Sequence, residues 1–281
     1  MRRVFVLLII CSSLCLSACS NLTGLFFYPQ QQYLRTPADI NLVYEQVALQ
    51  AEDGTDLVSW FLPAVQKNNS TGDFPIVLFL HGNAENISTH IGSVYWLPEE
   101  GVNVFLLDYR GYGNSKGNPY LPAIFQDVEA SLIWLRSRFP KKKIFIFGQS
   151  IGSAIATTSM ALLKDKYDLS GLILDSSFTG YRDIAQHVTS RSFITWLMYP
   201  FTWLIPTQWD PIEHIDQISP KPILMFHSEE DGILPYTQGR ELFQQAKQPK
   251  SWQESQGAHI QTFNFEQYRQ IFLNFLILWS A

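Results

Sequence analysis

The chain has 281 residues, 46% hydrophobic and 16% charged, too apolar for a disordered segment and long enough for one large α/β domain. A formal net charge of −5, with no basic run beyond Lys141, Lys142 and Lys143, argues against a nucleic-acid partner.

Residues 1–18 have the layout of a secretion signal: Arg2 and Arg3 lead, and residues 4–10 form an apolar stretch too short to span a bilayer. Leu16, Ser17, Ala18 and Cys19 resemble a bacterial lipobox, which implies cleavage before Cys19 and lipidation there. All three cysteines, Cys11, Cys15 and Cys19, fall in this segment. The mature chain would keep only the lipid-bearing one and could form no internal disulfide. Ser20 resembles the sorting signal for an outer membrane, so the expected location is the cell envelope, on the periplasmic side of that membrane. An ordinary signal peptide and an uncleaved anchor are the rival readings. Residues 19–42 then read as a lipid-anchored tether, whose Phe26, Phe27 and Tyr28 are expected to dock on the domain rather than lie in the lipid interface, because basic residues are scarce.

The domain is expected over residues 43–281. Runs 44–50 and 57–62 flank Glu52, Asp53, Gly54 and Thr55 and predict an antiparallel hairpin turning at Asp53 and Gly54. Short apolar runs follow at 75–80, 102–107, 144–147, 172–174 and 223–226, with a weaker last strand near 251–254. Strands buried on both faces have this composition, so a mostly parallel sheet is predicted, with helices on both faces and the hairpin at one edge. Helices are expected at 86–97, 123–139, Ile151–Leu163, 236–246 and 263–279. Ligands of such sheets bind beyond the carboxyl ends of the strands, where His81, Asp108, Ser150, Asp175 and His227 all fall.

Gly148, Gln149, Ser150, Ile151 and Gly152 spell G-x-S-x-G between a strand and a helix, the context of a nucleophile elbow: small residues let the backbone turn sharply and expose the serine Oγ. Ser150 is therefore the candidate nucleophile. After the strand at 75–80, His81, Gly82 and Asn83 outline an oxyanion hole, with one N–H from Asn83 and the other from Ile151; His81 is read as structural. The base must follow the serine. His259, in the small-residue turn after Gln256, Gly257 and Ala258, suits it better than His187, His214 or His227. Asp231 is the preferred acid, with Asp175 as its rival by chain order. The chemistry needs no cofactor and no metal.

These motifs, with the run from Asp108 to Gly117, His227 to Pro235 and the Gly257, Ala258, His259 turn, resemble a serine hydrolase of the α/β-hydrolase superfamily, closest to the Bem46 and ABHD12/13/17-like group. The resemblance covers residue 43 to the C-terminus, implies the α/β-hydrolase fold, and implies a triad of Ser150, Asp231 and His259. It makes the run from Asp108 a structural loop. No P-loop lysine and Ser/Thr follow there, so it is not a phosphate-binding loop.

An insertion over about 178–215 would form a small cap. Its Phe193, Trp196, Tyr199, Phe201, Trp203 and Trp209 either receive an acyl chain or pack the cap on the sheet. The expected function is cleavage of a carboxylic ester or thioester of a small or lipid acyl substrate through an acyl-enzyme on Ser150. The alternatives are a non-catalytic envelope-binding lipoprotein and a serine peptidase.

Overall fold

In the computed structural model, which describes residues 22–66 and 74–280, the apolar runs pair into one eight-stranded sheet. Its strands are β1 (Glu45–Gln50), β2 (Asp56–Leu62), β3 (Ile76–Leu80), β4 (Asn103–Leu107), β5 (Ile144–Gln149), β6 (Gly171–Asp175), β7 (Ile223–Ser228) and β8 (Lys250–Ser255), in the order β1-β2-β4-β3-β5-β6-β7-β8. The β1–β2 and β2–β4 pairs are antiparallel and all the others parallel. Residues 1–18 and Cys19 lie outside the described residues.

The helices are α1 (Ile87–His90), α2 (Ala123–Arg138), α3 (Ile151–Leu163), α4 (Tyr181–Ser190), α5 (Phe193–Trp196), α6 (Tyr236–Gln245) and α7 (Glu266–Ser280). Alternation along the strands feeds two cores, because successive side chains leave opposite faces. Leu78, Leu80, Ile146 and Leu172 pack with Ile124, Val128 and Ile155 of α2 and α3 on one face. Val77, Phe79, Phe147 and Phe226 pack with Phe272 and Leu276 of α7 on the other. Phe147 alone meets Phe79, Phe263 and Phe272 at ring-centroid distances of 5.1, 5.4 and 5.3 Å, and deleting such a side chain costs about 3 to 5 kcal/mol.

One expected helix is largely absent. Over 86–97 only the single turn α1 forms, followed by a 3-10 turn at Ile91–Ser93. Asn86 caps α1 by accepting the Ser88 N–H. Beyond it, Gly92, β-branched Val94 and aromatic Tyr95 and Trp96 favour a helix poorly. The Trp96 indole instead donates to the Ser93 carbonyl and its ring packs on Phe263 and Phe272, so tertiary contact overrides the local pattern. The last helix starts later than expected, at Glu266, after a 3-10 turn at Thr262–Asn264.

Two further segments frame the carboxyl rim of the sheet. Residues 22–34 cross the domain surface: Phe27 is buried, Phe26 meets Tyr181 edge-on at 5.3 Å, and Thr23 Oγ1 accepts the Leu121 N–H. Between β6 and β7, residues 178–215 carry α4, α5 and 3-10 turns at Tyr199–Leu204 and Pro211–Glu213. Trp209 packs on Phe125 at 5.2 Å, whereas Phe193, Trp196 and Trp203 are 82%, 56% and 62% exposed. Packing on the domain core, through Phe125 of α2, therefore accounts for Trp209 but not for those three rings.

Candidate active site

Ser150 sits where β5 turns into α3, and its backbone is strained to φ 58°, ψ −126°. A non-glycine residue pays about 1 to 3 kcal/mol for such a conformation. Its neighbours allow the turn by being absent: a Cβ on Gly148 would collide with Gly152 O and Ala156, and one on Gly152 with the carbonyl oxygens of Leu80 and His81. The Ser150 N–H is tied to the Asp175 carbonyl at 3.0 Å. Because β5 pairs with β6 through Gln149 and Asp175, the elbow is fixed to the neighbouring strand.

The strained turn delivers Ser150 Oγ to His259 Nε2 at 2.9 Å, and His259 Nδ1 lies 2.8 Å from Asp231 Oδ2. A carboxylate only accepts, so Nδ1 carries the proton and Nε2 is left to accept from the serine hydroxyl. Asp231 Oδ1 accepts the N–H groups of Ile233 and Leu234, both at 2.9 Å. Burial pushes the Asp231 carboxyl up, but hydrogen bonds from His227 and His259 and the Leu234 N–H outweigh it and hold the group well below the usual carboxylate range. It therefore stays charged as a counter-ion for an imidazolium.

The rival carboxylate is engaged elsewhere. Asp175 is fully buried; its Oδ2 accepts from Gln149 Nε2 at 2.8 Å and its Oδ1 from the Thr262 hydroxyl at 2.7 Å. Gln149 Oε1 in turn accepts from Ser93. Burial raises the Asp175 pKa, with Gln149 and Thr262 pulling it back. Thr262 lies three residues beyond His259, so Asp175 anchors the loop that carries the imidazole without touching it.

Gly82 brings the β3 loop against the serine: a Cβ there would lie 3.3 Å from Ser150 Cβ. The side chain of Asn83 is held by the N-terminal segment and Tyr112, its Nδ2 donating to Phe26 O at 2.6 Å and its Oδ1 accepting from Tyr28 N and Tyr112 Oη at 2.9 Å. Ile151 opens α3, where first-turn N–H groups have no intrahelical acceptor.

His81 is buried, with Nδ1 at 2.7 Å from Gly82 O and its ring 4.4 Å from Tyr109. Asp108 holds the N–H of Ile87 and the Tyr33 hydroxyl, and burial pushes its pKa up to about 7. Arg110 is clamped by Asp127 at 2.7 Å and reaches Asp53 of the hairpin turn at 2.6 Å. These contacts make the run from Asp108 a structural brace. Among the described residues, no group of His, Cys, Asp and Glu could hold a metal.

Three features lay outside the sequence reading. His227 places Nε2 3.5 Å from Asp231 Oδ2 as a second histidine on the acid; its position at a strand end was visible, its contact was not. The Gln149–Asp175–Thr262 network and the grip of residues 26–28 on Asn83 join positions far apart in the chain, and no local motif marks either.

The Hydrolase_4 family model, described as serine aminopeptidase, S33, matches residues 74–210. An uncharacterised protein of Escherichia coli O157:H7, YfhR, is 33% identical over 245 residues, 83% of this chain and 80% of that protein. The zebrafish lysophosphatidylserine lipase ABHD12 is 30% identical over 68% of this chain and 51% of its own. This chain belongs to the Bem46/ABHD family of α/β hydrolases. In fold it is similar to the Pyrococcus furiosus esterase Pf2001, with a TM-score of 0.72 at 21% identity over 91% of this chain and 98% of that one. This chain's eight-stranded sheet is the frame on which these side chains converge.

Proposed function

We propose that this α/β hydrolase is a serine esterase or thioesterase, in which Ser150 attacks an acyl carbonyl, His259 takes the serine proton at Nε2, and Asp231 stabilises the imidazolium. The tetrahedral oxyanion is received by the N–H groups of Asn83 and Ile151, a donor of this kind being worth about 3 to 4 kcal/mol in known cases. His259 returns its proton to the leaving alcohol or thiol, and a water activated by the same Nε2 then releases the acid from the acyl-serine. The unbroken line from Ser150 Oγ through His259 to Asp231, at 2.9 and 2.8 Å, carries the reading. A lysophosphatidylserine lipase among the relatives favours an acyl-ester substrate; the serine aminopeptidase description keeps a peptidase as the second reading.

The test is fluorophosphonate labelling of wild type beside Ser150→Ala, with turnover of matched p-nitrophenyl esters, thioesters and aminoacyl anilides. Labelling and ester turnover that vanish in Ser150→Ala are expected. Folded protein that resists the probe would overturn the enzyme reading, and anilide turnover above ester turnover would favour the peptidase.

We further infer a lipid anchor at Cys19, placing the enzyme at the inner face of an outer membrane. The exposed Phe193, Trp196 and Trp203 suit a membrane-facing surface. Among the described residues no helix is long and apolar enough to cross a bilayer. Loss of membrane fractionation in Cys19→Ser is expected; unchanged processing and fractionation would contradict the anchor.

A further inference from the structure

The loop that follows β3 is gripped from outside by the segment that precedes the first strand. Residues 27–33 form neither helix nor strand, yet every second residue from 26 to 34 turns its backbone to the loop at 83–88. Phe26 O accepts from Asn83 Nδ2 at 2.6 Å, and the Tyr28 N–H donates to Asn83 Oδ1 at 2.9 Å. The Gln30 N–H donates to Glu85 O at 3.3 Å. Asn86 Nδ2 donates to Gln30 O at 3.0 Å and to Gln32 O at 2.9 Å, and the Leu34 N–H donates to Ser88 Oγ at 3.0 Å. Successive residues of an extended chain face opposite ways, so a strap laid along the loop touches it at this period. The intervening Tyr33 spends its hydroxyl on Asp108 at 2.8 Å.

The gripped loop is strained. Ala84 and Glu85 have φ of 59° and 55° without being glycine, and such backbone persists only where its surroundings over-determine it. From inside, His90 Nε2 lies 3.3 Å from Ala84 O and the Tyr112 hydroxyl bonds to Asn83; from outside, the strap closes the grip. The strained pair directly follows Asn83, whose N–H is an oxyanion donor in the proposed reaction, and Gly82, where an added Cβ would lie 3.3 Å from Ser150 Cβ. Release of the strap would let the pair relax and turn that N–H away from the serine.

We propose that residues 26–34 are a positioning strap for the oxyanion hole, tied down by the Asn86 side chain and fixed to Asn83 by the Tyr28 N–H. The assignment rests on the esterase reading and deepens it: the segment leading from the inferred anchor into the domain also sets the geometry of the donor. Asn86 is 1% exposed and acts twice, its Oδ1 capping α1 at the Ser88 N–H while its Nδ2 holds the strap.

The test compares Tyr28→Pro with Tyr28→Ala and adds Asn86→Ser, each in the full chain, with the folded fraction taken from circular-dichroism melts. Tyr28 is 65% exposed, so alanine removes a surface ring and keeps the N–H, whereas proline removes the N–H as well. Serine at position 86 still caps α1 but is too short to hold Gln30 and Gln32. Hydrolysis of p-nitrophenyl butyrate gives kcat and KM, and inhibition by a trifluoromethyl ketone, which forms a tetrahedral adduct on the serine, reads the oxyanion hole. Removing one oxyanion donor costs about 10²–10³ in kcat, so a loosened one should cost at least about tenfold. Tyr28→Pro against Tyr28→Ala, and Asn86→Ser against wild type, should each lose that factor in kcat with KM within about twofold, and weaken the ketone by the factor lost in kcat/KM. If the proline variant does not fold, Asn86→Ser decides alone. Unchanged kcat in the folded variants would overturn the strap. So would a loss carried by KM alone, or a fall in kcat with unchanged ketone affinity, since either separates these residues from the oxyanion. No Ser150-dependent turnover in wild type would sink the esterase reading and this assignment with it.

Discussion

Replacing Asp231 by Asn should reverse the proton on His259, and the hydrogen bonds around it give the reason. The amide must keep its oxygen toward the Ile233 and Leu234 N–H groups, which can only donate. Its NH2 then faces His259 Nδ1 in place of the Oδ2 that accepts at 2.8 Å. Nδ1 must become the acceptor, Nε2 acquires the proton, and the ring no longer accepts from Ser150. By analogy with the measured cost of this tautomer error, kcat should fall about 10⁴-fold, or about 5.5 kcal/mol of transition-state stabilisation. Asp175→Asn is the matched control. Asp175 bonds to Gln149 and Thr262, and Gln149 can turn its amide because the Ser93 hydroxyl either donates or accepts. Its loss should stay within about tenfold in kcat, with a stability cost of about 1 to 3 kcal/mol. The assay is steady-state hydrolysis of p-nitrophenyl acetate, with circular-dichroism melts to establish folding. Equal losses in the two variants, or a loss below tenfold in folded Asp231→Asn, would refute the assignment of the acid.

Gly152→Ala should destabilise the fold by about 3 kcal/mol in denaturant titration, because its Cβ meets the backbone oxygens of Leu80 and His81 at the end of β3, which cannot retreat. Arg110→Met strands the buried Asp127 carboxylate and should cost about 3 to 5 kcal/mol in the same assay. Asp108, with its pKa raised to about 7 by burial, binds its proton more tightly folded than unfolded. It therefore contributes stability present below about pH 4 and lost as pH rises through 7. Asp108→Asn, which keeps an acceptor for Ile87 N–H, should shrink the drop in unfolding free energy between pH 5 and pH 8 by about 1 to 3 kcal/mol; an unchanged drop would place the titration elsewhere.

Much of this architecture is legible locally because each strand is a short apolar run whose composition reports burial on both faces. Ile151–Leu163 is read from the sequence to the residue, and the strand expected at 144–147 extends two residues further, to Gln149, into the elbow motif. His259 and Asp231 were reachable by chain order and loop chemistry. What separates Asp231 from Asp175 is three-dimensional: both follow strand ends, and only the structure shows that Thr262 and Gln149 occupy Asp175. The 86–97 segment misleads because its apolar spacing suits a helix while Trp96 is drawn into the aromatic cluster around Phe263. The docking of Phe26, Phe27 and Tyr28 on the domain is legible in the sequence, but the partners of residues 22–34 are not, for a related reason. Tyr33 reaches Asp108 across 75 positions, and a segment with no period of its own takes its shape from the surface it covers.

Ser150 should become covalently acylated during turnover. Rapid mixing with p-nitrophenyl butyrate, acid quench and peptide mapping by mass spectrometry should find a butyryl group on the peptide containing Ser150, in step with a burst of nitrophenol approaching one equivalent per chain wherever deacylation limits the rate. His259→Gln should remove both. Sustained, Ser150-dependent hydrolysis with no acyl group on that peptide, or an acyl group on any other residue, would contradict the account.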